Sequence, residues 1–240
     1  MKKLYEKNEV LFAVLWIVAY CALTIPVRGE LGDASPLMTA ALAVLALGAA
    51  AFVRLNHLEK KYGLDGWARD SRRFLYFLPM FILATGNLWS GFGLDYRGMG
   101  QVWATLSMAL IGFVAEMLFR GFLFKARLKK DGVKVAVIVS AVTFGIGRIV
   151  NLLAGQGNWE TVGQVIFAVA WGFLFTLAYY KSGSLWPCIA VHAIVDVASL
   201  YNGENLTMEW VYIGATILIA LIYCPYLLRL KTPESSGASE

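Results

Sequence analysis

Residues 102–124, VWATLSMALIGFVAEMLFRGFLF, decide the fold. At 1.5 Å per residue this run would reach roughly 34 Å as a helix, enough to cross a hydrocarbon core of ~30 Å. It carries only two charges, Glu116 and Arg120. Seven further apolar blocks flank it, over residues 10–27, 37–53, 74–90, 135–154, 162–180, 185–201 and 210–228. The block at 74–90 is interrupted by Gly86 and Asn87. In lipid every backbone N–H and C=O must be satisfied internally, so blocks of this kind are helices. A membrane barrel needs alternating strands of ~10 residues, and no such alternation is present. The fold class that follows is all-α: a polytopic membrane helical bundle of about eight transmembrane helices.

Composition agrees. The chain of 240 residues is 59% hydrophobic, above the ~45–50% of soluble domains, with a mean hydropathy of +0.63. Residues 1–230 read as one transmembrane domain, and 231–240 (KTPESSGASE) as a disordered polar tail. The start Met1-Lys2-Lys3 leads into a full span with no small-residue cleavage site behind it, so it reads as a first membrane helix.

The basic residues orient the bundle, because Lys and Arg favour cytoplasmic loops. Lys2, Lys3 and Lys7 precede the first block. Arg54, Lys60, Lys61, Arg69, Arg72 and Arg73 follow the second. Lys125, Arg127, Lys129, Lys130 and Lys134 follow the fourth, Lys181 the sixth, and Arg229 and Lys231 the eighth. Only Arg28 and Arg97 fall in loops on the opposite side. Both termini are therefore expected in the cytoplasm. Topology and contact with anionic lipid headgroups account for the net charge of +5 without nucleic acid as a partner. Cys21, Cys188 and Cys224 lie in separate spans with no CxxC spacing, which indicates neither a zinc clip nor a disulfide framework.

A charge at mid-bilayer costs at least ~2.5–3.5 kcal/mol, so ionisable residues inside the blocks mark candidate functional positions. Glu116 and Arg120 lie in the fourth block, Arg148 in the fifth, His192 and Asp196 in the seventh. Glu116 and Arg120 are spaced i, i+4, as are His192 and Asp196, so each pair shares a helix face. Five polar groups on three helices imply one polar cavity. The plainer reading is two buried ion pairs that join helices. Gly112, Gly121, Gly145 and Gly147 favour a site, because small residues let backbones approach closely.

Three motifs here resemble one family. Ala115-Glu116-Met117-Leu118-Phe119-Arg120-Gly121 is similar to the EExxxR motif of the CPBP family, the Abi-like CAAX-protease and bacteriocin-processing membrane proteases. Phe144-Gly145-Ile146-Gly147-Arg148 resembles its FxxxH motif, and His192-Ala193-Ile194-Val195-Asp196 its HxxxN motif. Phe122-Leu123-Phe124 and Ser184-Leu185-Trp186-Pro187 also fit as flanks. The resemblance covers about 108–200. It implies an intramembrane peptide hydrolase in which the first Glu and the FxxxH histidine position and deprotonate water. The His and Asn of HxxxN would stabilise the oxyanion.

The chain departs from that pattern twice. Ala115 stands where the general-base Glu belongs, and Arg148 where the water-positioning His belongs. Alanine accepts no proton, and arginine stays protonated and ligates no metal. Glu116, His192 and Asp196 could supply the three ligands a catalytic zinc wants, but Arg148 would add positive charge beside the ion, so no cofactor is expected. Formal charges along Glu116, Arg120, Arg148 and Asp196 balance, which suggests an Arg148–Asp196 pair filling the water site.

The resemblance thus implies an impaired endopeptidase acting on protein C-termini or peptides. A non-catalytic membrane scaffold, a pseudoprotease, is the main alternative. A transporter gains little support, because no pair of broken helices with inverted symmetry stands out. Expected partners are membrane lipid and a peptide or protein C-terminus. The short chain suits a bacterial plasma membrane.

Overall fold

A short helix, α1 (Lys2–Lys7), leads into two long apolar helices, α2 (Glu9–Leu31) and α3 (Pro36–Leu55). The structure, a computed structural model, describes residues 1–67, 75–147 and 158–230, the last stretch by backbone alone over 158–161. Local chemistry sets the boundaries. The Asn8 side chain accepts the Leu11 N–H at 3.0 Å to cap α2. Ser35 caps α3, and Pro36 opens it, where the missing N–H costs nothing.

After a single-turn helix, α4 (Glu59–Tyr62), the apolar block at 74–90 is broken rather than continuous. It consists of a 3-10 turn (Leu75–Phe77), a short helix α5 (Leu78–Ala84) and a second 3-10 turn (Gly86–Ser90). The expected interruption at Gly86 thus ends the helix. A Cβ at Gly86 would overlap the Tyr212 ring, at 2.1 Å, so the glycine is needed for close packing.

The fourth block forms α6 (Met99–Glu116), which runs without a break into a π-helical stretch, Met117–Phe124. The next helix, α7 (Lys125–Ile146), contains Gly132 at φ 79, outside helical space. The chain reverses there. Ser140 Oγ donates to the Phe119 carbonyl at 3.0 Å, and the Phe119 and Phe144 rings lie 5.5 Å apart. In a straight helix residues 119 and 140 would stand roughly 31 Å apart. The helical run Met99–Ile146 is therefore two antiparallel arms, which match the separate fourth and fifth blocks of the sequence.

Three helices complete the bundle: α8 (Asn158–Ser182), α9 (Trp186–Ser199) and α10 (Leu206–Arg229). Among the described residues, five helical runs are long and apolar enough to cross a membrane: Glu9–Leu31, Pro36–Leu55, Met99–Ile146, Val162–Ser182 and Leu206–Arg229. Helix α9 is shorter, at 14 residues or roughly 21 Å. The tail 231–240 lies outside the described residues.

Helix α9 packs on α6, α8 on α7 and α10, and α2 and α3 on the π-helical stretch and α6 respectively. Both ends of α9 are tied to loops. On the Lys/Arg-rich side the Leu185 N–H donates to the Gly63 carbonyl at 2.9 Å, Trp186 Nε1 to Leu64 at 3.1 Å, and Ser184 Oγ to Gly66 at 2.8 Å. Gly63 has φ 65, and a Cβ there would lie 2.2 Å from the Gly183 carbonyl. On the other side Asn87 Nδ2 donates to the Val195 carbonyl at 2.8 Å and Gln101 Nε2 to Leu200 at 3.2 Å.

Near that first face, Lys61 Nζ donates to Tyr5 at 2.5 Å and to Glu9 at 2.6 Å, and Lys129 reaches Glu9 at 3.2 Å. Burial opposes the Lys61 charge, but the bonds to Glu9 and Tyr5 outweigh it and hold the ammonium pKa above its usual value. This cluster fixes α1 against the bundle.

Close backbone approach is tested most directly at Gly172 on α8, where a Cβ would sit 2.8 Å from both Cα and carbonyl O of Ala141. Gly172→Ala is expected to cost about 1–3 kcal/mol through overpacking. Thermal unfolding in detergent checks this. Gly214→Ala, at a position with nothing within 4 Å, should leave the midpoint unchanged or raise it.

Candidate functional site

Two antiparallel helices bring the candidate residues together. Helix α6 ends at Glu116, and Arg120 follows one turn later inside the π-helical stretch. Helix α9 carries His192 and Asp196. The contact is close because of Gly112, where a Cβ would meet the Ala193 backbone nitrogen at 2.6 Å. A larger residue would push α9 away and draw His192 off Glu116. Gly145 does the same between α7 and α8, since its Cβ would meet Val169 Cγ2 at 2.2 Å. Gly121 and Gly147 play no such part: a Cβ at Gly121 makes ordinary contacts, and one at Gly147 meets nothing within 4 Å.

The four described polar residues form one chain. Arg120 Nη1 donates to Glu116 Oε1 at 2.9 Å. The same oxygen lies 2.7 Å from His192 Nδ1. His192 Nε2 in turn lies 3.4 Å from Asp196 Oδ2. Glu116 and Arg120 are fully buried, His192 and Asp196 nearly so. Arg148 lies outside the described residues, and so does its expected pairing with Asp196.

Aromatic rings wall the cluster. The Arg120 guanidinium carbon sits 4.2 Å from the Phe144 centroid and 5.1 Å from that of Phe175. His192 stacks on Phe175 at 5.4 Å and meets Phe144 edge-on at 5.4 Å. Cation–π contact of a desolvated guanidinium is worth ~2 kcal/mol or more, which offsets part of the cost of burying it. Phe144 opens the second motif, yet the sequence assigned it no role. Phe175 was missed. Its signal was the i, i+4 pair Trp171–Phe175 on the sixth block, whose rings stack at 5.0 Å.

The backbone also takes part. The π-helical turn holds the Arg120 segment, and the Phe119 carbonyl within it accepts from Ser140. π-Helical turns are rare and concentrate at functional sites. Three buried polar atoms, Glu116 Oε2 and Arg120 Nε and Nη2, have no hydrogen-bond partner among the described residues.

The imidazole geometry limits what the cluster can do. Its two nitrogens point away from one another, each toward a different carboxylate. Both contacts are hydrogen bonds only if both nitrogens carry protons. In that state the four groups carry balanced charge. The arrangement does not gather Glu116, His192 and Asp196 around one point, and among the described residues no three His, Cys, Asp or Glu side chains converge to hold a metal ion.

Comparison with known proteins adds one match. Residues 98–198 match the family described as type II CAAX prenyl endopeptidase Rce1-like. That span contains α6, the π-helical stretch, α7, α8 and nearly all of α9. No curated protein matches the chain.

Glu116 is the hub, so its charge should dominate stability. Glu116→Gln is expected to cost about 3–5 kcal/mol, because it leaves the Arg120 charge buried without its counter-ion. Replacing both, as Glu116→Gln with Arg120→Met, should cost less than the single change. Thermal unfolding of both variants in detergent decides it.

Proposed function

We propose, on the match of residues 98–198 to the Rce1-like, type II CAAX prenyl endopeptidase family, that this integral membrane protein is a CAAX-type endopeptidase whose peptide hydrolysis is impaired. The observation that carries the reading is the state of Glu116. Its Oε1 is shared between Arg120 and His192, and its neighbour is Ala115 rather than a second carboxylate.

Hydrolysis of a peptide needs a base for water and donors for the oxyanion. In the family the first glutamate and the FxxxH histidine are thought to serve water. Here those positions are Ala115 and Arg148, and neither accepts a proton. Among the described residues Glu116 Oε2 has no partner, while Oε1 is held by both Arg120 Nη1 and His192 Nδ1.

The oxyanion side is altered too. Asp196 occupies the position of the HxxxN asparagine and lies 3.4 Å from His192. A carboxylate there places negative charge where negative charge would develop, which opposes the transition state. The roles that remain are positional: Arg120 and His192 hold Glu116, and Asp196 holds His192.

The second reading, favoured by the paired charges of the cluster, is a non-catalytic membrane scaffold or binding protein, a pseudoprotease; on either reading lipid and peptide or protein C-termini are the partners. The charge-paired cluster favours this over transport, because it fills the polar interior with its own groups.

A detergent-solubilised peptidase assay with a farnesylated CAAX peptide tests the proposal. The natural chain should stay at background, and Ala115→Glu with Arg148→His should raise turnover by about 10²-fold or more. Turnover by the natural chain that disappears in Glu116→Gln would overturn it, since Glu116 would then be acting as base.

A further inference from the structure

Outside the polar cluster, an apolar groove of about 550 Å³ lies between α7, α8 and α10. Val137, Ile138, Val169, Phe173, Ile217 and Leu221 line it. Two breaks in regular helix border it. The reversal at Gly132 starts the second arm of α7 at its edge, and Pro225, inside α10, also lines it. Pro225 lacks the N–H that would bond the carbonyl four residues earlier, so the Leu221 carbonyl loses its helical partner beside the groove.

The groove has a polarity. Along α10 it runs from Ile217 to Leu228, roughly 16 Å at 1.5 Å per residue. That is about half of a ~30 Å hydrocarbon core, the depth of one leaflet. One end lies at the Lys/Arg-rich face. Lys134 lines the rim there and is exposed, and exposed Arg229 follows the lining Leu228. Near the same end Lys181 donates to the Leu230 carbonyl at 2.5 Å, which ties α8 to α10.

We infer that this groove is a binding site for an anionic phospholipid of the cytoplasmic leaflet, with one acyl chain in the groove and the phosphate between Lys134 and Arg229. Three observations select that occupant. The groove is apolar and one leaflet deep, which fits a single acyl chain. Its rim is cationic on the side where the distribution of Lys and Arg places the cytoplasm, and that leaflet carries the anionic lipids. The surface is also concave. A second copy docking by two-fold symmetry would present the same concavity and leave the groove unfilled. Lipid tails are as apolar as leucine, so chain burial alone gives little preference, and selectivity comes from the headgroup.

The test uses the full chain, reconstituted in vesicles of mixed phosphatidylglycerol and phosphatidylcholine, extracted in mild detergent, with retained lipid counted by native mass spectrometry. Phosphatidylglycerol should be enriched about tenfold over its share of the vesicle, as two membrane-proximal cations predict. Lys134→Glu with Arg229→Glu should abolish the enrichment, and Lys134→Gln alone should reduce it about threefold. Lys2→Glu with Lys3→Glu makes an equal charge change elsewhere and should leave it intact. Ala170→Phe, which fills the groove floor, should lower retention of both lipids. Enrichment that survives Lys134→Glu with Arg229→Glu would overturn the proposal. So would equal loss in the Lys2, Lys3 variant, which marks bulk electrostatics. Retention of a farnesylated peptide in preference to phosphatidylglycerol, lost in Ala170→Phe, would reassign the groove to a prenyl group.

Discussion

A guanidinium that cannot shed its proton, placed at zero exposure inside an apolar bundle, is the constraint on which the site depends. Arg120 must be answered, and Glu116 answers it at 2.9 Å. One carboxylate oxygen then serves two cationic or donor groups, Arg120 and His192, while Asp196 takes the far side of the imidazole. Each partner is needed because the dielectric is low and removal of any one leaves a charge uncompensated. The Phe144 and Phe175 faces add the remaining stabilisation of the cation. The polar chain is thus as much a packing element as a chemical one.

Backbone geometry delivers these groups to one another. Gly112 admits α9 against α6, the π-helical stretch holds the segment of Arg120, and the reversal at Gly132 returns Phe144 to the cluster. None of these devices is polar. They matter because an ion pair in a membrane interior tolerates little error in distance, and close helix approach through small residues is the available means of precision.

The apolar blocks were legible because lipid imposes one rule on every backbone group, and length alone then reports a helix. So were Glu116, Arg120, His192 and Asp196, whose i, i+4 spacing puts each pair on one face and whose cost in lipid marks them out. Two features were less accessible. The block at 74–90 has the composition of a span but not its continuity, since Pro79 and Gly86 act on local backbone that hydropathy averages away. Phe175 was hidden for a different reason. One aromatic among many in an apolar helix declares its role only when the opposite helix supplies a cation for it to cover.

Helix α9 has one further consequence. At 14 residues it is roughly 9 Å shorter than the hydrocarbon core, yet hydrogen bonds fasten both of its ends to irregular loops. Those loops must therefore sit below the plane of the headgroups, where exposed backbone survives only against protein or water. Along α9 burial eases toward the Leu200 end: Glu116, its neighbour across the α6 contact, has no exposed surface, whereas Asp196, one turn from that end, keeps 8%. A thicker host bilayer would strain this short helix before any other part of the fold.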